Sequence, residues 1–241
     1  MMTCLQTTDF PGTARESFNA GWRFHRGDVA GAEVATFDDS GWRVLDLPHD
    51  WAIEGPFDVK YNARCGGLPF HGTGWYRKPF EIPSRAKGQV LSVTFDGAMY
   101  NAHVWINGQF LGNRPCGYMG FRYDISRHVN YGGSNLMAVK LSPQDLSSRW
   151  YPGAGIYRNV WIEQNNPVHV APWGTFITTP EVGRDHALIR VETAIEGAGG
   201  EGTAIAVGYE ILDPFGQVVA RAEGAVSKEG ALASGRVTVQ D

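Results

Sequence analysis

Side chains suited to binding chemistry lie together in an aromatic, glycine-rich segment past the middle of the chain, residues 148–162. Residues 149–151 supply a guanidinium, an indole and a phenol in direct succession. Pro152 fixes its own φ and biases the preceding residue toward extended geometry, while Gly153 and Gly155 permit positive φ. The segment is therefore predicted to be a constrained loop that either faces a ligand or anchors a hairpin corner, and the residue types alone favour the corner.

The residues after this loop alternate in the manner of a β-strand. One face is predicted to pack against the fold and carries Ile156, Arg158, Val160 and Ile162; the other carries Tyr157, Asn159 and Trp161. Similar short alternating runs, separated by Gly, Pro, Asn and Asp, occur at 75–82, 89–95, 98–106 and 135–141. Asn107-Gly108 is a strong hairpin signal, because both residues tolerate positive φ. Helical periodicity is nearly absent, so we predict an all-β sandwich.

Carboxylates are plentiful, but none shows a spacing that demands catalysis. The candidates are Asp50, Glu54, Asp58, Asp96, Asp124 and Asp145. We interpret them as structural or solvated and predict no catalytic residue in this chain. His49 and Asp50 invite comparison with an acid–base dyad, but neighbours on an extended segment point to opposite faces. We interpret this pair as a structural turn beside Trp51.

The charge distribution argues against two classes of partner. The formal net charge is -4, and the basic residues are scattered, so we expect no binding to nucleic acid or to an anionic membrane. The local basic cluster at 77–78 and 85–87 is predicted to be a solvated strand face. No stretch is long and apolar enough to cross a bilayer.

The cysteines and histidines give no support for a metal site or a cofactor. Cys4, Cys65 and Cys116 are odd in number and far apart, with no paired spacing, and the seven histidines form no metal-binding motif. No ligand cluster for magnesium or sodium is evident either. We therefore predict no metal and no cofactor. Residues 1–18 show no export signal, and the cysteines are typical of reduced thiols, so we expect a cytoplasmic location.

Individually weak motifs follow one another in a fixed order. They are Trp-Arg-Phe-His at 22–25, Asp-Asp-Ser-Gly-Trp at 38–42, Leu-Pro-His-Asp-Trp at 47–51, Gly-Thr-Gly-Trp-Tyr-Arg-Lys at 72–78, Phe-Asp-Gly at 95–97, Val-Trp-Ile-Asn-Gly at 104–108 and Ser-Arg-Trp-Tyr-Pro-Gly-Ala-Gly-Ile-Tyr-Arg at 148–158. Together they resemble the N-terminal region of glycoside hydrolase family 2, and most closely its bacterial beta-galactosidase branch.

This resemblance implies a domain order that the residue texture also supports. Residues 1–17 are expected to form an N-terminal tail, and 18–164 a jelly-roll, galactose-binding-like β-sandwich. After a short linker the chain becomes richer in Ala, Gly and Val, and residues 165–241 are predicted to form a partial immunoglobulin-like β-sandwich with a turn at 213–216. Roughly 75 residues follow the linker, against about 100 in a complete domain of that type, so we expect its last strand to be missing.

The resemblance also implies a supporting role in substrate binding. In the family, loops of the jelly roll reach the mouth of a separate catalytic TIM barrel, which holds the catalytic carboxylate pair. The corresponding candidates here are His71, Arg149, Trp150 and Tyr151, and the implied partners are a galactoside or related glycoside and the catalytic barrel. Some relatives carry a carboxamide in place of His71 and a carboxylate near Arg149. Arg149 could instead pair with Asp145, and His71 could cap its loop.

Three functional interpretations follow. The chain is the non-catalytic N-terminal part of a beta-galactosidase-like hydrolase, and is expected to be inactive alone because 241 residues without strand–helix alternation cannot supply the barrel. Alternatively it is a free-standing carbohydrate-binding module, which the jelly-roll pattern and the aromatic loop favour. A third interpretation is a docking subunit that completes the pocket of a separate catalytic chain.

Overall fold

The computed structural model of the protein describes residues 3–4, 14–58, 61, 72–143, 150–184, 186–197, 205–225 and 231–240. Contacts between Cα atoms divide the chain into two compact units, Met1–Asn165 and Asn166–Asp241. The secondary structure of the described residues is β-strand, with short 3-10 turns at Trp51–Glu54 and Ser84–Ala86 and no α-helix. The predicted all-β fold class is thereby confirmed. No helix in these ranges has the length and apolarity needed to cross a membrane.

Eleven strands make up the described part of the first unit. They are β1 (Thr3–Cys4), β2 (Ala14–Ser17), β3 (Trp22–Arg26), β4 (Arg43–Leu45), β5 (Gly74–Ile82), β6 (Val90–Phe95), β7 (Ala102–Ile106), β8 (Gln109–Arg114), β9 (Phe121–Asp124), β10 (Gly133–Leu141) and β11 (Val160–Asn165). One sheet has the order β4-β3-β5-β10-β7-β8, with β1 paired in parallel to β5, and the second has the order β2-β11-β6-β9. All other pairings are antiparallel.

The core of this unit is one hydrophobic cluster that contains side chains from both sheets. Successive residues of a strand point to opposite faces, so Tyr76 and Phe80 of β5 face inward, toward the side that Val93 and Phe95 of β6 also occupy. The Phe80 ring meets the Phe18 ring edge-on, with centroids 5.0 Å apart. Such packing of two inward faces is the architecture of a jelly-roll sandwich.

The prediction that Arg77 is solvated is wrong, because this side chain is only 1% exposed. Its Nε donates to Asp39 Oδ2 at 2.7 Å, and Nη1 and Nη2 make three further hydrogen bonds to backbone oxygens. These acceptors all belong to the loop between β3 and β4: Ala32, Val34 and Phe37. A buried guanidinium is tolerated when its charge is paired and its donors are satisfied, and here the arrangement fastens the loop onto β5.

The adjacent Lys78 is also buried, again contrary to the prediction of a solvated face. Its Nζ donates to the Ala20 carbonyl and lies 4.5 Å from the centre of the Phe18 ring. Burial disfavours the charged ammonium and lowers the pKa of Lys78 from 10.5 to about 8, against an opposing contribution from Asp46.

Two local predictions have different outcomes. Asn107 and Gly108 adopt φ values of 51° and 81° between β7 and β8, which confirms the hairpin turn. The strand predicted to start at Ile156 begins instead at Val160. Arg158 is exposed rather than packed against the fold, because residues 156–159 form irregular backbone that bonds to neighbouring loops instead of a sheet.

The second unit contains β12 (His169–Val182), β13 (His186–Glu196), β14 (Ala206–Leu212), β15 (Val218–Ala225) and β16 (Ala231–Gln240). Strands β12, β13 and β16 form an antiparallel sheet in that order, and β14 and β15 form a hairpin. The predicted turn is present, with Asp213 Oδ1 accepting from the backbone nitrogens of Phe215 and Gln217 at 2.8 Å each. This pattern is the partial immunoglobulin-like sandwich expected from the sequence.

The buried Lys78 should make the free energy of unfolding of the first unit increase as the pH rises above about 8. Its folded pKa of about 8 lies below the unfolded value, so between these values the unfolded chain binds more protons and stability rises with pH. From pH 7 to pH 9 we expect the free energy of unfolding to increase by about 1 kcal/mol more in the wild type than in Lys78→Met. Denaturant unfolding followed by tryptophan fluorescence measures this difference.

The matched control is Lys87→Met, because Lys87 is exposed and precedes β6 in the same unit. This variant should retain the pH dependence of the wild type. Identical pH profiles for Lys78→Met and the wild type would show that Lys78 keeps an ordinary pKa and that its burial has no electrostatic cost.

Candidate functional site

The Asp50 carboxylate anchors the described part of the aromatic loop. Its Oδ1 accepts from the backbone nitrogens of Ala52 and Ala154, each at 2.9 Å. Its Oδ2 accepts from the Tyr151 hydroxyl at 2.6 Å. A single half-buried carboxylate thus caps the 3-10 turn at Trp51–Glu54 and holds residues 151–154 beside it. The interpretation of Asp50 as a structural turn residue is confirmed. Its hydrogen bonds to Tyr151 and Ala154, about 100 residues away, were not predicted.

Two glycines of the loop are required by close approach as well as by backbone angle. Gly153 has φ 78°, and a Cβ there would lie 3.0 Å from Asp50 Oδ2. Gly155 has φ 140°, and a Cβ there would lie 2.2 Å from the His49 carbonyl oxygen. The backbone nitrogen of Gly155 donates to Met99 O at 2.9 Å, and that of Met99 donates to Gly155 O at 2.8 Å. The prediction of a constrained loop is therefore confirmed.

His49 belongs to a separate polar group on the other side of the same backbone. Its Nδ1 lies 2.6 Å from the Tyr76 hydroxyl, and its Nε2 lies 2.7 Å from Arg43 Nη2 and 3.0 Å from Glu54 Oε1. Burial disfavours the imidazolium and lowers the pKa of His49, although Glu54 opposes the shift. Both ring nitrogens of His49 thus have close polar partners, which fix the orientation of the ring. Asp50 is bonded elsewhere, so the two residues form no dyad.

A small aromatic cavity lies beside the Trp150 ring. Its volume is about 180 Å³, and it is lined by Met99, Tyr100, Pro115, Cys116, Gly117, Tyr118, Trp150 and Pro152. Trp150 is 59% exposed, and its Nε1 donates to the Tyr118 hydroxyl at 2.7 Å. The Tyr157 hydroxyl donates to Gly117 O at 3.0 Å, which joins the loop at 115–118 to the segment after Gly155. An exposed indole held at one edge can present a ring face to a ligand.

The structure brings together only part of the predicted site. Trp150 lies at the cavity with an exposed ring, whereas Tyr151 is half-buried and donates its hydroxyl to Asp50. Burial, followed by the Asp50 charge, raises the pKa of Tyr151 well above its usual range, so it remains a neutral donor. His71 and Arg149 lie outside the described residues, as does Asp145, and their roles stay predictions.

Sequence reasoning missed Tyr118 and Tyr157 as members of this site. The available signal was the Pro- and Gly-rich run at 115–120, which marks a second loop with an aromatic residue at its centre. A Cβ atom at Gly117 would lie 2.5 Å from Met99 Sδ. The loop can therefore lie this close to Met99 only with glycine at position 117. Nothing in the sequence indicates that this loop meets Trp150.

Three more of the candidate carboxylates in the described residues have structural partners. Asp96 accepts from Trp161 Nε1 at 2.9 Å, and Glu54 pairs with Arg43 at 2.6 Å. Asp124 Oδ1 accepts from the Ser126 backbone nitrogen at 2.8 Å. Within the described ranges, His, Cys, Asp and Glu side chains form no group of three that could hold a metal ion.

Asp50 and Tyr151 should show strong thermodynamic coupling. Asp50→Ala removes three hydrogen bonds and is expected to destabilise the first unit by about 2 to 3 kcal/mol, whereas Tyr151→Phe removes one and costs about 1 kcal/mol. In the double variant the Tyr151→Phe change should cost almost nothing, because its acceptor is already absent. Denaturant unfolding of all four proteins measures this coupling.

Asp38→Ala is the matched control, since Asp38 is exposed and accepts only a local hydrogen bond from Ser40. It should cost less than about 1 kcal/mol. Additive effects of Asp50→Ala and Tyr151→Phe would contradict the role of Asp50 as the shared anchor.

Comparison with known proteins places this geometry in a family. The family model described as glycosyl hydrolases family 2, sugar binding domain, matches residues 17–166. The beta-galactosidase BoGH2A of Bacteroides ovatus is 42% identical over 209 residues, which cover 86% of this chain and 24% of that protein. A beta-glucuronidase of Formosa agariphila is 28% identical over 243 residues, covering 91% of this chain and 24% of its own length.

Solved structures agree with this assignment. A glycosyl hydrolase family 2 member from Bacteroides cellulosilyticus matches with a TM-score of 0.85 and 37% identity, covering 94% of this chain and 30% of that one. The chain spans about a quarter of the length of the curated relatives it matches. It belongs to glycoside hydrolase family 2 and corresponds to the non-catalytic N-terminal sugar-binding region of that family.

Proposed function

We propose that this chain supports the substrate pocket of a family 2 hydrolase that acts on a β-galactoside or a related glycoside. The observation that carries this proposal is the Trp150 ring, which is 59% exposed beside a cavity of about 180 Å³ and fixed at its indole nitrogen by Tyr118. Exposed aromatic side chains can usually change rotamer. The Trp150 indole is instead held by its hydrogen bond to Tyr118, while much of its ring surface remains exposed. That combination suits a stacking surface for a sugar.

The chemistry of a glycoside matches the side chains of the two loops predicted to face the substrate. Sugar hydroxyls require directional donors and acceptors, and the carbon-bound hydrogens of a sugar ring pack well on an aromatic face. In this proposal Trp150 supplies the face, while His71 and Arg149 supply donors to hydroxyl groups. Tyr151 contributes indirectly, because its hydroxyl bond to Asp50 holds the loop behind Trp150.

Bond cleavage is assigned to a catalytic barrel and not to this region. Glycoside hydrolysis needs two carboxyl groups on either side of the scissile bond, about 5 to 5.5 Å apart in retaining enzymes. Here Asp50 and Glu54 are occupied in holding backbone and arginine groups. The region's contribution is therefore to orient the glycone and to exclude water from one side of the pocket.

The relatives leave two glycones in consideration. BoGH2A is named as a beta-galactosidase, and the Formosa agariphila protein as a beta-glucuronidase. The stronger similarity to BoGH2A and the motif series favour a galactoside. A glucuronide would require cationic partners for its carboxylate, and Arg149 is the candidate cation on this loop.

A docking role receives separate support from the second unit. Strand β12 exposes Val170, Trp173, Phe176, Ile177 and Val182, by 50% or more of their area in each case. Neighbours such as Phe176 and Ile177 point to opposite faces of the strand, but so many exposed apolar side chains along one strand are typical of a segment that packs against another domain or chain. This favours association with a catalytic domain over a free-standing binding module.

The test is made in the protein that contains this region together with a family 2 catalytic barrel. Trp150→Ala should lower kcat/KM for p-nitrophenyl β-galactoside by about tenfold, because a stacking contact worth roughly 1 to 2 kcal/mol is lost. Tyr118→Phe should cause a smaller loss in the same direction, since the indole then has no hydroxyl partner at that position. Measuring p-nitrophenyl β-glucuronide in parallel identifies the preferred glycone.

Phe215→Ala serves as the control, because Phe215 is 89% exposed in a hairpin turn of the second unit. Its kcat/KM should equal that of the wild type. Unchanged kinetics in Trp150→Ala would contradict the supporting role of this loop. Hydrolysis of either substrate by the 241-residue chain alone would contradict the assignment of catalysis to the barrel.

A further inference from the structure

A much larger groove lies on the first unit and shares no lining residue with the Trp150 cavity. Its volume is about 940 Å³. Arg77 and Pro79 of β5 contribute to its floor, and these residues alternate with the core residues Tyr76 and Phe80. The groove therefore lies on the outer face of the larger sheet, opposite the sandwich core.

The two walls of the groove come from different parts of the chain. One wall is the loop at 35–39, and the other consists of the β7–β8 turn at 107–109 together with Asn130. Pro79 and Leu136 provide apolar surface between them, and the half-buried Phe37 ring adds an aromatic side. The result is an open trough whose floor combines the apolar Pro79 and Leu136 with the paired Arg77, between polar rims.

Buried polar contacts hold both walls in place. The Asn107 side chain donates to His128 O and to Asn135 Oδ1, at 2.8 Å each, and accepts from the Leu136 backbone nitrogen at 2.9 Å. Asn135, which is 2% exposed, donates in turn to Asn130 O at 3.1 Å. On the opposite side, the buried Arg77–Asp39 pair fixes the loop. A site whose walls are set in advance binds its ligand at a lower entropic cost.

The exposed groups at the rims are mainly amides and hydroxyls. Gln109, Asn130 and Ser134 are exposed, and Gln109 Oε1 accepts from His128 Nδ1 at 2.6 Å, which orients its amide nitrogen. The charged residues are paired with one another, because Asp39 accepts from both Arg77 and Arg23. The lining therefore carries a net formal charge of +1, and neutral amides and hydroxyls supply most of the polar groups that a ligand would meet.

We propose that this groove binds a short, uncharged oligosaccharide, as a second saccharide site of the region. Carboxamides and hydroxyls can each donate to and accept from sugar hydroxyls, while Pro79, Leu136 and Phe37 pack against the carbon-bound hydrogens of the rings. The volume is near the upper end of the range for small-ligand sites, about 300 to 1,000 Å³, so it accommodates more than one sugar ring. The groove would hold a polymeric glycan at a distance from the loop site.

The experiment is a titration of the 241-residue chain with β-1,4-linked galactotetraose, followed by calorimetry and by amide chemical shifts. Ala35→Trp places a large side chain in the groove without removing any side-chain hydrogen bond, and Gln109→Ala removes one rim amide. Thr36→Trp is the matched control, because Thr36 is exposed and adjacent in sequence but does not line the groove.

We expect saturable binding to the wild type, equal binding to Thr36→Trp, and at least tenfold weaker binding to Ala35→Trp. Gln109→Ala should weaken binding by about tenfold or less, as for the loss of one or two hydrogen bonds. Absence of saturable binding up to ~10 mM tetraose would overturn the proposal, as would equal affinity in Ala35→Trp and Thr36→Trp.

The proposal for the groove and the proposal for the Trp150 loop can be tested separately. In the amide spectra, tetraose should perturb groove residues such as Gln109 and Ser134 more than Gly117 and Tyr118 beside Trp150. Tetraose binding that is lost in Trp150→Ala but retained in Ala35→Trp would overturn the groove and assign the saccharide to the loop. Binding of the monosaccharide methyl β-galactoside as tightly as the tetraose would contradict an extended groove.

Discussion

Coverage of strand β5 on both faces is the constraint on which the first unit depends. Inward, Tyr76 and Phe80 fill the core between the two sheets. Outward, Arg77 binds the loop between β3 and β4, and its donors are satisfied only if that loop lies flat on the sheet. Leaving such donors buried without partners costs several kcal/mol, so the loop and the strand must order together.

The same strand also organises the two candidate binding regions. Through its hydroxyl, Tyr76 contacts His49, whose backbone nitrogen donates to Ile156 O at 2.9 Å, next to the loop that Asp50 anchors. Arg77 fixes one wall of the large groove, on the outer face of the larger sheet. One strand therefore positions an aromatic loop at an end of the sandwich and a polar trough on its outer side.

Local patterns predicted those features that depend on neighbouring residues. The Asn107-Gly108 turn, the turn at Asp213 and the alternation of Val160 and Ile162 follow from backbone preferences and from period-two burial, which act over a few residues. The ordered motifs identified the family because seven short patterns in sequence rarely coincide by chance. The start of β11 was misplaced, since residues 156–159 bond to loops that are distant in the chain.

Residue types and short spacings were enough to establish the all-β class, the family and the constrained loop, because these features depend on little else. Only the tertiary structure decided that Arg77 and Lys78 are buried, since their acceptors in Asp39 and Ala20 lie 38 and 58 residues away. It also decided that Tyr151 faces Asp50 across 101 residues, while Trp150 stays exposed. A polar side chain either bonds to other residues of the protein or remains available to a ligand. Which of the two occurs depends on the residues that three-dimensional packing places opposite it.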